Sequence, residues 1–186
     1  MGKVAIPPNL IPMVAAGDQN AFEELYRLTY RPLFSFLVSL TSNQEDASDL
    51  LQETYLKVYT SASRYTERGN PLAWIMKIGK NLFLMQQRSR KNDFVYLDDR
   101  DSGAAEIPFD NIADSETRTV IQEMFDALSR EERTIVVLHE ISGFKHKEIA
   151  DLLELPLGTV LSKYNRAINK LRSQADLTEN GDTNDK

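Results

Sequence analysis

Residues 92–121 carry eight acids, Asp93, Asp98, Asp99, Asp101, Glu106, Asp110, Asp114 and Glu116, against Arg100 and Arg118. Within that run the stretch from Asn92 to Ile112 contains Gly103 and Pro108 and holds no sustained apolar period, so it reads as an extended linker. The chain is thereby divided. A length of 186 residues, which at roughly 150 residues per domain would suit one unit, is better read as two small modules. One covers 1–91 and the other 114–175, with the acidic linker 92–113 between them and a disordered tail over 176–186.

The same division re-sorts the charge. The total is −6, and an acidic balance taken whole argues against a nucleic-acid partner. Residues 1–91 hold 11 bases and 8 acids, residues 122–173 hold 8 of each, and 174–186 hold Lys186 against 4 acids. Acidity therefore lies in the linker and the tail, and the modules are neutral or basic. With no cysteine and two histidines, a disulfide framework, a cysteine-based zinc site, a thiol nucleophile and a His-rich metal centre are excluded. No metal, no cofactor and no catalytic residue is expected. The opening segment is broken by Pro7, Pro8 and Pro12 and has no continuous apolar run, so it is not a secretory signal, and the expected location is the cytoplasm.

Both modules read as all-helical, with no strand alternation and no internal repeat. Asp18 can cap a helix carrying Phe22, Leu25 and Tyr26, and Pro32 suits the first turn of the apolar run Leu33 to Leu40. Ser42 and Glu45 have capping-box spacing for a helix to about Ser61. Asn70-Pro71 opens another to about Arg90. Beyond the linker Ile121, Met124, Phe125 and Leu128 form a stripe, Ser129 and Glu132 form a second capping box, and Ser142-Gly143 ends that helix. Two helices joined across Glu154-Leu155-Pro156 complete a helix-turn-helix, the last running to about Gln174.

Three surfaces could carry function. On the helix after Pro71, Lys77, Lys80, Asn81, Arg88 and Lys91 fall within about 60° of one line. Trp74 stands at the edge of that stripe, and no acid occurs between Pro71 and Lys91. A basic stripe edged by an indole suits phosphates and an unpaired base; an ordinary solvated basic face, with Trp74 in the core, is the alternative. On the helix after Ser42, Ala47, Leu50, Leu51 and Val58 face inward, which leaves Asp46, Asp49 and Glu53 on successive turns with Gln52 beside them. That stripe is either a solvated face or a dock for a basic partner; one helix without a nearby histidine makes a poor metal site. On the last helix Leu157, Val160, Tyr164, Ile168 and Leu171 point inward, while Thr159, Lys163, Arg166 and Lys170 line the outer face with Ser162 on its flank. Such a face can enter a major groove, and a plain helical hairpin is the alternative.

At these residues the sequence resembles the extracytoplasmic-function (ECF, group IV) sigma factors of bacterial RNA polymerase. Asp46-Ala47-Ser48-Asp49-Leu50-Leu51-Gln52-Glu53-Thr54-Tyr55 is similar to the family's core-binding helix, and Trp74-Ile75-Met76-Lys77-Ile78-Gly79-Lys80-Asn81-Leu82 to its −10 element helix. Ala127-Leu128-Ser129-Arg130-Glu131-Glu132-Arg133 and the segment Ile149 to Val160 are similar to its −35-binding domain. The resemblance implies a non-enzymatic initiation subunit with two partners, core RNA polymerase and promoter DNA, and admits an anti-sigma factor as a third. It implies that Asp46, Asp49, Gln52 and Glu53 bind core polymerase. The loop Tyr65 to Asn70, with Trp74, Lys77, Lys80, Asn81, Arg88 and Lys91, would hold the melted −10 strand. Thr159, Ser162, Lys163, Arg166 and Lys170 would bind the −35 duplex.

Four positions depart from the family pattern. Leu161 and Lys163 stand where Lys and Arg are common, Met85 replaces a frequent Asp, and Glu154 replaces a common Gly in a turn where a left-handed backbone would cost roughly 1 kcal/mol. These bear on the promoter sequence, not the class. Two rivals remain at this point: a helix-turn-helix regulator acting without polymerase, and an all-helical adaptor that binds only protein.

Overall fold

The computed structural model describes residues 4–66, 70–93 and 125–181. Among them the regular elements are all helical. The first half contains α1 (Leu10–Ala15), α2 (Gln19–Thr41), α3 (Gln44–Ser61), a 3₁₀ turn (Ala62–Arg64) and α4 (Pro71–Asp93). The second contains α5 (Arg130–Val136), which widens into a π turn (Val137–Ile141), then α6 (His146–Leu153) and α7 (Leu157–Gly181). The linker beyond Asp93, with Ile121 and Met124 of the expected stripe, and tail residues 182–186 lie outside the described residues.

Local chemistry sets most of the boundaries. Asp18 Oδ1 accepts from the amides of Asn20 at 2.9 Å and Ala21 at 3.1 Å, satisfying two donors that the first turn of α2 cannot use internally. Asn70 Oδ1 accepts from the Leu72 amide at 3.1 Å, with Pro71 at the first helical position as expected. Ser129 and Glu132 form the reciprocal capping box at the start of α5. Gly143, at φ 71°, supplies the left-handed turn after the π segment.

Three sequence expectations shift. The second helix does not begin at Pro32: α2 runs unbroken from Gln19 to Thr41 with Pro32 buried inside it. The missing amide removes one intrahelical bond, and burial of Leu33, Phe36, Leu37 and Leu40 beyond it holds the helix together. The cap of α3 is Asn43, whose Oδ1 accepts from the Asp46 amide at 3.0 Å. Ser42 is left-handed, at φ 54°, and ends α2. The last helix continues to Gly181, past residue 175, since no Pro or Gly interrupts it earlier once it has begun at Leu157-Gly158.

In the first half α2, α3 and α4 bury Leu25, Leu33, Phe36, Leu37, Leu50, Val58, Ile75 and Met76. Each such side chain contributes about 1.5–3 kcal/mol relative to exposure. Helix α4 seats closely because Gly79 faces its neighbours: a Cβ there would lie 3.0 Å from Leu37 Cδ2 and 3.2 Å from Thr54 Oγ1. The second half closes over Ile135, Val137, Leu138, Phe144, Ile149, Val160 and Ala167. The halves also pack on each other. Thr134 Oγ1 donates to the Ser39 carbonyl at 3.3 Å. The buried Arg133 donates to Ser42 Oγ at 3.2 Å and to the carbonyls of Phe125 and Leu128 at 3.3 and 3.2 Å.

Candidate functional site

The basic helix α4 lies across the first half with its core-facing arc on Leu72, Ile75, Met76, Gly79 and Phe83. Sequence spacing centred that arc on Ile75, Ile78, Gly79 and Leu82, which is roughly 60° away, less than one residue's step around the helix. The difference decides which bases reach solvent. Lys77, Asn81 and Arg88 are exposed, whereas Lys80 is 6% exposed. The side chain of Lys91 lies outside the described residues.

Trp74 is half-buried, with its ring 5.0 Å from that of Tyr65. Both line a cleft of about 430 Å³, together with Asn70 and Lys77 from the first half and Glu148 and Asp151 from α6. Asn70 spends its side-chain oxygen on the cap of α4, and its Nδ2 is buried without a hydrogen-bond partner. A donor left so has a desolvation cost that a ligand acceptor can relieve. The cleft thus offers two aromatic faces, one amide donor and the two cations Arg64 and Lys77, the groups that can hold an unstacked base beside its phosphate, with the carboxylates of Glu148 and Asp151 on the same lining.

Lys80 departs from the open stripe expected of it. Its Nζ donates to Glu154 Oε1 at 2.7 Å, joining the two halves, with side-chain exposures of 8% for Lys80 and 68% for Glu154. Glu154 is the residue that the sequence placed where Gly is common, and its backbone is left-handed, at φ 59° and ψ 39°. The hydrogen bond from Lys80, then its charge, hold the Glu154 carboxyl below the ordinary range against a smaller effect of burial, with Lys77 adding to the lowering.

On α7 the expected outer face is present, but two of its bases are engaged. Lys163 pairs with Glu131 at 2.6 Å and Lys170 with Glu132 at 2.7 Å. Burial raises the Glu132 carboxyl, and the Lys170 hydrogen bond, the Ser129 amide and the Lys170 charge outweigh it, so the net direction is down. Arg166 and Ser162 are exposed, and Thr159 is half-buried. Leu157, expected inside, is 43% exposed, and Leu161 beside it is 40% exposed. Ala167 fills the inward position instead, because α7 turns Val160, Tyr164, Ala167 and Ile168 toward the second half.

The acidic stripe of α3 is as spaced. Asp49, Gln52 and Glu53 are exposed, Asp46 is half-buried, and Leu56, 68% exposed, extends the strip by one turn. Glu53 Oε2 accepts from Gln86 Nε2 of α4 at 3.0 Å, which fixes the stripe's carboxyl end relative to the basic helix.

Sequence reasoning missed two groups. One is the α6 edge, Glu148, Asp151 and Glu154, whose three-residue spacing was visible but was absorbed into a neutral charge count. The other is the pair of histidines, whose rings stack with centroids 4.3 Å apart beneath Tyr164. Tyr164 donates to Glu140 Oε1 at 2.6 Å; burial, then this bond and the Glu140 charge, push its hydroxyl up to about 12. Burial and then the neighbouring His139 push His146 below its ordinary value, with Glu140 opposing. Among the described residues no group of three or more His, Asp or Glu is arranged to hold a metal ion, and no helix is long and apolar enough to cross a membrane.

Comparison with known proteins divides the chain at the same linker. Residues 25–92 match the family described as Sigma-70 region 2, and residues 118–171 that described as Sigma-70, region 4. The ECF RNA polymerase sigma factor SigE of Mycolicibacterium smegmatis is 35% identical over 165 residues, covering 85% of this chain and 64% of that protein's length. SigW of Bacillus subtilis, also an ECF RNA polymerase sigma factor, is 26% identical over 176 residues, covering 88% of this chain and 94% of the relative. Among solved structures, a sigma factor RpoE in complex with the anti-sigma factor NepR from Bartonella quintana superposes with a TM-score of 0.66 at 26% identity. That match covers 83% of this chain and 96% of the other.

Proposed function

Because the chain belongs to the sigma-70 family as an ECF-type RNA polymerase sigma factor, we propose that it acts in the cytoplasm as a non-enzymatic initiation subunit. In this reading it brings core RNA polymerase to specific promoters and helps open them. The observation that carries the reading is the cleft beside α4, where Tyr65 and Trp74 flank the unpartnered Asn70 amide next to Lys77. A base drawn out of a duplex costs a few kcal/mol of stacking, and an aromatic seat with a phosphate contact returns energy of that order.

The other surfaces take the remaining roles. Asp46, Asp49, Gln52 and Glu53 on α3, with the exposed Leu56, form the docking strip for the polymerase. Asn70, Trp74, Lys77, Asn81, Arg88 and Lys91 bind the −10 strand, and Lys80 joins them when it leaves Glu154. Thr159, Ser162, Lys163, Arg166 and Lys170 bind the −35 duplex. An anti-sigma factor is a further partner of the free chain, a reading supported by the likeness to RpoE, which was solved with one.

Reconstitution with core polymerase and a genomic promoter library, scored by run-off transcripts, tests the proposal. Specific transcripts are expected, and their absence from a folded protein that also fails to associate with core overturns it. Asp49→Lys with Glu53→Lys should abolish core association and spare binding of duplex DNA. Trp74→Ala with Lys77→Ala should spare core association and impair opening. If both pairs fail at the same step, the division of roles is wrong.

A further inference from the structure

We propose that Asn165 and Leu161 on α7 select two neighbouring bases in duplex DNA, Asn165 by pairing with the edge of an adenine and Leu161 by covering the methyl group of a thymine. The inference rests on the reading of α7 as the −35 helix and names what that helix reads. It starts from the rotation of α7. Val160 and Ala167 are fully buried in the second half. At about 100° per residue, the line opposite them runs through Gly158, Ser162, Asn165 and Asn169, which fall within about 60° of one another. All four are exposed. The basic row Thr159, Lys163, Arg166 and Lys170 stands about 100° round from that line, with Thr159 and Lys163 half-buried. The exposed Leu157 and Leu161 form the other flank.

The three strips address different parts of a duplex. Cations address phosphates, which position a helix without selecting a sequence, and Lys163 and Lys170 hold carboxylates that they can exchange for them. An amide that donates and accepts at once pairs with adenine, and apolar contact selects the thymine methyl. In the central row the Ser162 hydroxyl donates to the Thr159 carbonyl at 3.0 Å, which leaves it an acceptor only. A Cβ at Gly158 would meet nothing within 4 Å, so packing does not call for glycine there, and the room it leaves opens on the side of Asn165. Asn169 lies a turn further from the N-terminal end of α7, the end that reaches base edges in helix-turn-helix proteins.

Asn165 is therefore the side chain placed to read a base. Its amide makes no side-chain hydrogen bond among the described residues. Its Nδ2 can donate to adenine N7 while its Oδ1 accepts from N6. Leu161 stands one turn before it and, with Leu157 four residues earlier, makes an exposed apolar ridge. The thymine methyl is the apolar group of the major groove, and contact between the two removes both from water.

Two selections test the proposal. The tagged full-length chain retains duplexes from a fully random pool, and core polymerase reconstituted with the same chain selects run-off templates from a randomised promoter library. The parent should enrich a motif with an adenine column. Asn165→Ala should lower the preference for adenine in that column about fivefold or more and leave the other columns in place. Asn165→Arg should move it to guanine, whose N7 and O6 arginine takes bidentately. Both variants put a better helix former at an exposed site, and misfolding cannot change which base is chosen. Deoxyuridine in place of the neighbouring thymine, which removes the methyl alone, should weaken the parent about threefold and leave Leu161→Ala unchanged.

An adenine column that survives both Asn165 variants overturns the proposal, as does a parent that enriches no sequence in either selection. Equal weakening by deoxyuridine in Leu161→Ala overturns the part given to Leu161. Core association of the same proteins keeps this question apart from the proposed function. Transcripts whose sequence ignores Asn165 leave the function standing without the readout. Duplex selection that switches with Asn165, in a chain that never associates with core, removes the function and leaves the readout.

Discussion

Lys80 on α4 takes its carboxylate from Glu154, 74 residues away in the other half, whereas Lys163 and Lys170 on α7 take theirs from Glu131 and Glu132 of the same half. The geometry is similar, with all three contacts between 2.6 and 2.7 Å. Their dependence differs. A pair within one half belongs to that half's fold and persists if the halves part, while the pair across them exists only when they meet. The ion pair of α4 is therefore conditional on the arrangement of the halves, and α7 carries its charge pairs wherever its half goes. For Lys163 to reach a phosphate it has only to exchange Glu131, itself 57% exposed, and a pair of that kind is worth less than about 1 kcal/mol.

The largest effect that tests this contrast comes from the cores. Phe144→Ala should cost about 3–5 kcal/mol in the second half, because Phe144 is 1% exposed. The single tryptophan, Trp74, lies in the first half. Denaturant unfolding followed by its fluorescence should shift together with the helical signal if the closed halves unfold as one unit. A Trp74 midpoint that ignores Phe144→Ala would break the comparison, since the halves would then be energetically separate.

Next comes the seat of α4. Gly79→Val should cost about 2–3 kcal/mol by overpacking against Leu37 and Thr54, and it should also weaken the neighbouring Lys80 contact, seen as a longer distance between spin labels, one on each half. Glu132→Gln sharpens the contrast from the other side. It keeps the capping-box acceptor, which Gln also supplies, and removes the charge that accepts from Lys170, with an expected loss of about 1–2 kcal/mol. The distance between halves should not change. If Glu132→Gln lengthens it as Glu154→Gln should by removing the charge that faces Lys80, the distinction between the two kinds of pair is wrong.

The smallest effect is a pH dependence confined to the second half. The folded value of His146 lies below its ordinary one, near 6.5, so the folded state binds fewer protons than the unfolded one. Stability is full above the ordinary value and falls as pH drops through it toward the folded value. Thermal melts from pH 7.5 to 5.5 should show a declining midpoint, flattened by His146→Phe, which keeps a ring against Tyr164. An unaltered slope in that variant would assign the dependence elsewhere.

Most helix boundaries were legible because they rest on local chemistry. Asp18, Asn70-Pro71 and Ser129 with Glu132 announce themselves within four residues. The acidic stripe on α3 was legible because Ala47, Leu50, Leu51 and Val58 leave one face open. Ser42 was read as a cap since its spacing to Glu45 is right; its hydroxyl serves Arg133, 91 residues away, and no local pattern carries that. Lys80 was misplaced for a similar reason. A rotation of about 60° is finer than spacing alone can resolve on a helix, and the residue that covers Lys80 comes from another module. The departure at Glu154 was visible in the sequence, but its counter-ion was not.

Arg133 gives the closed arrangement a kinetic character. It clasps the carbonyls of Phe125 and Leu128, just where the chain re-enters the second half, and reaches Ser42 in the first. The halves are also covalently joined through 31 residues, 94–124, so they meet at an effective concentration on the order of millimolar. Dilution inside a cell cannot undo such a contact, and abundance cannot enforce it. Closing is a first-order event whose balance is the same for one copy or a thousand, so a partner that shifts it acts on each molecule independently of how many are made.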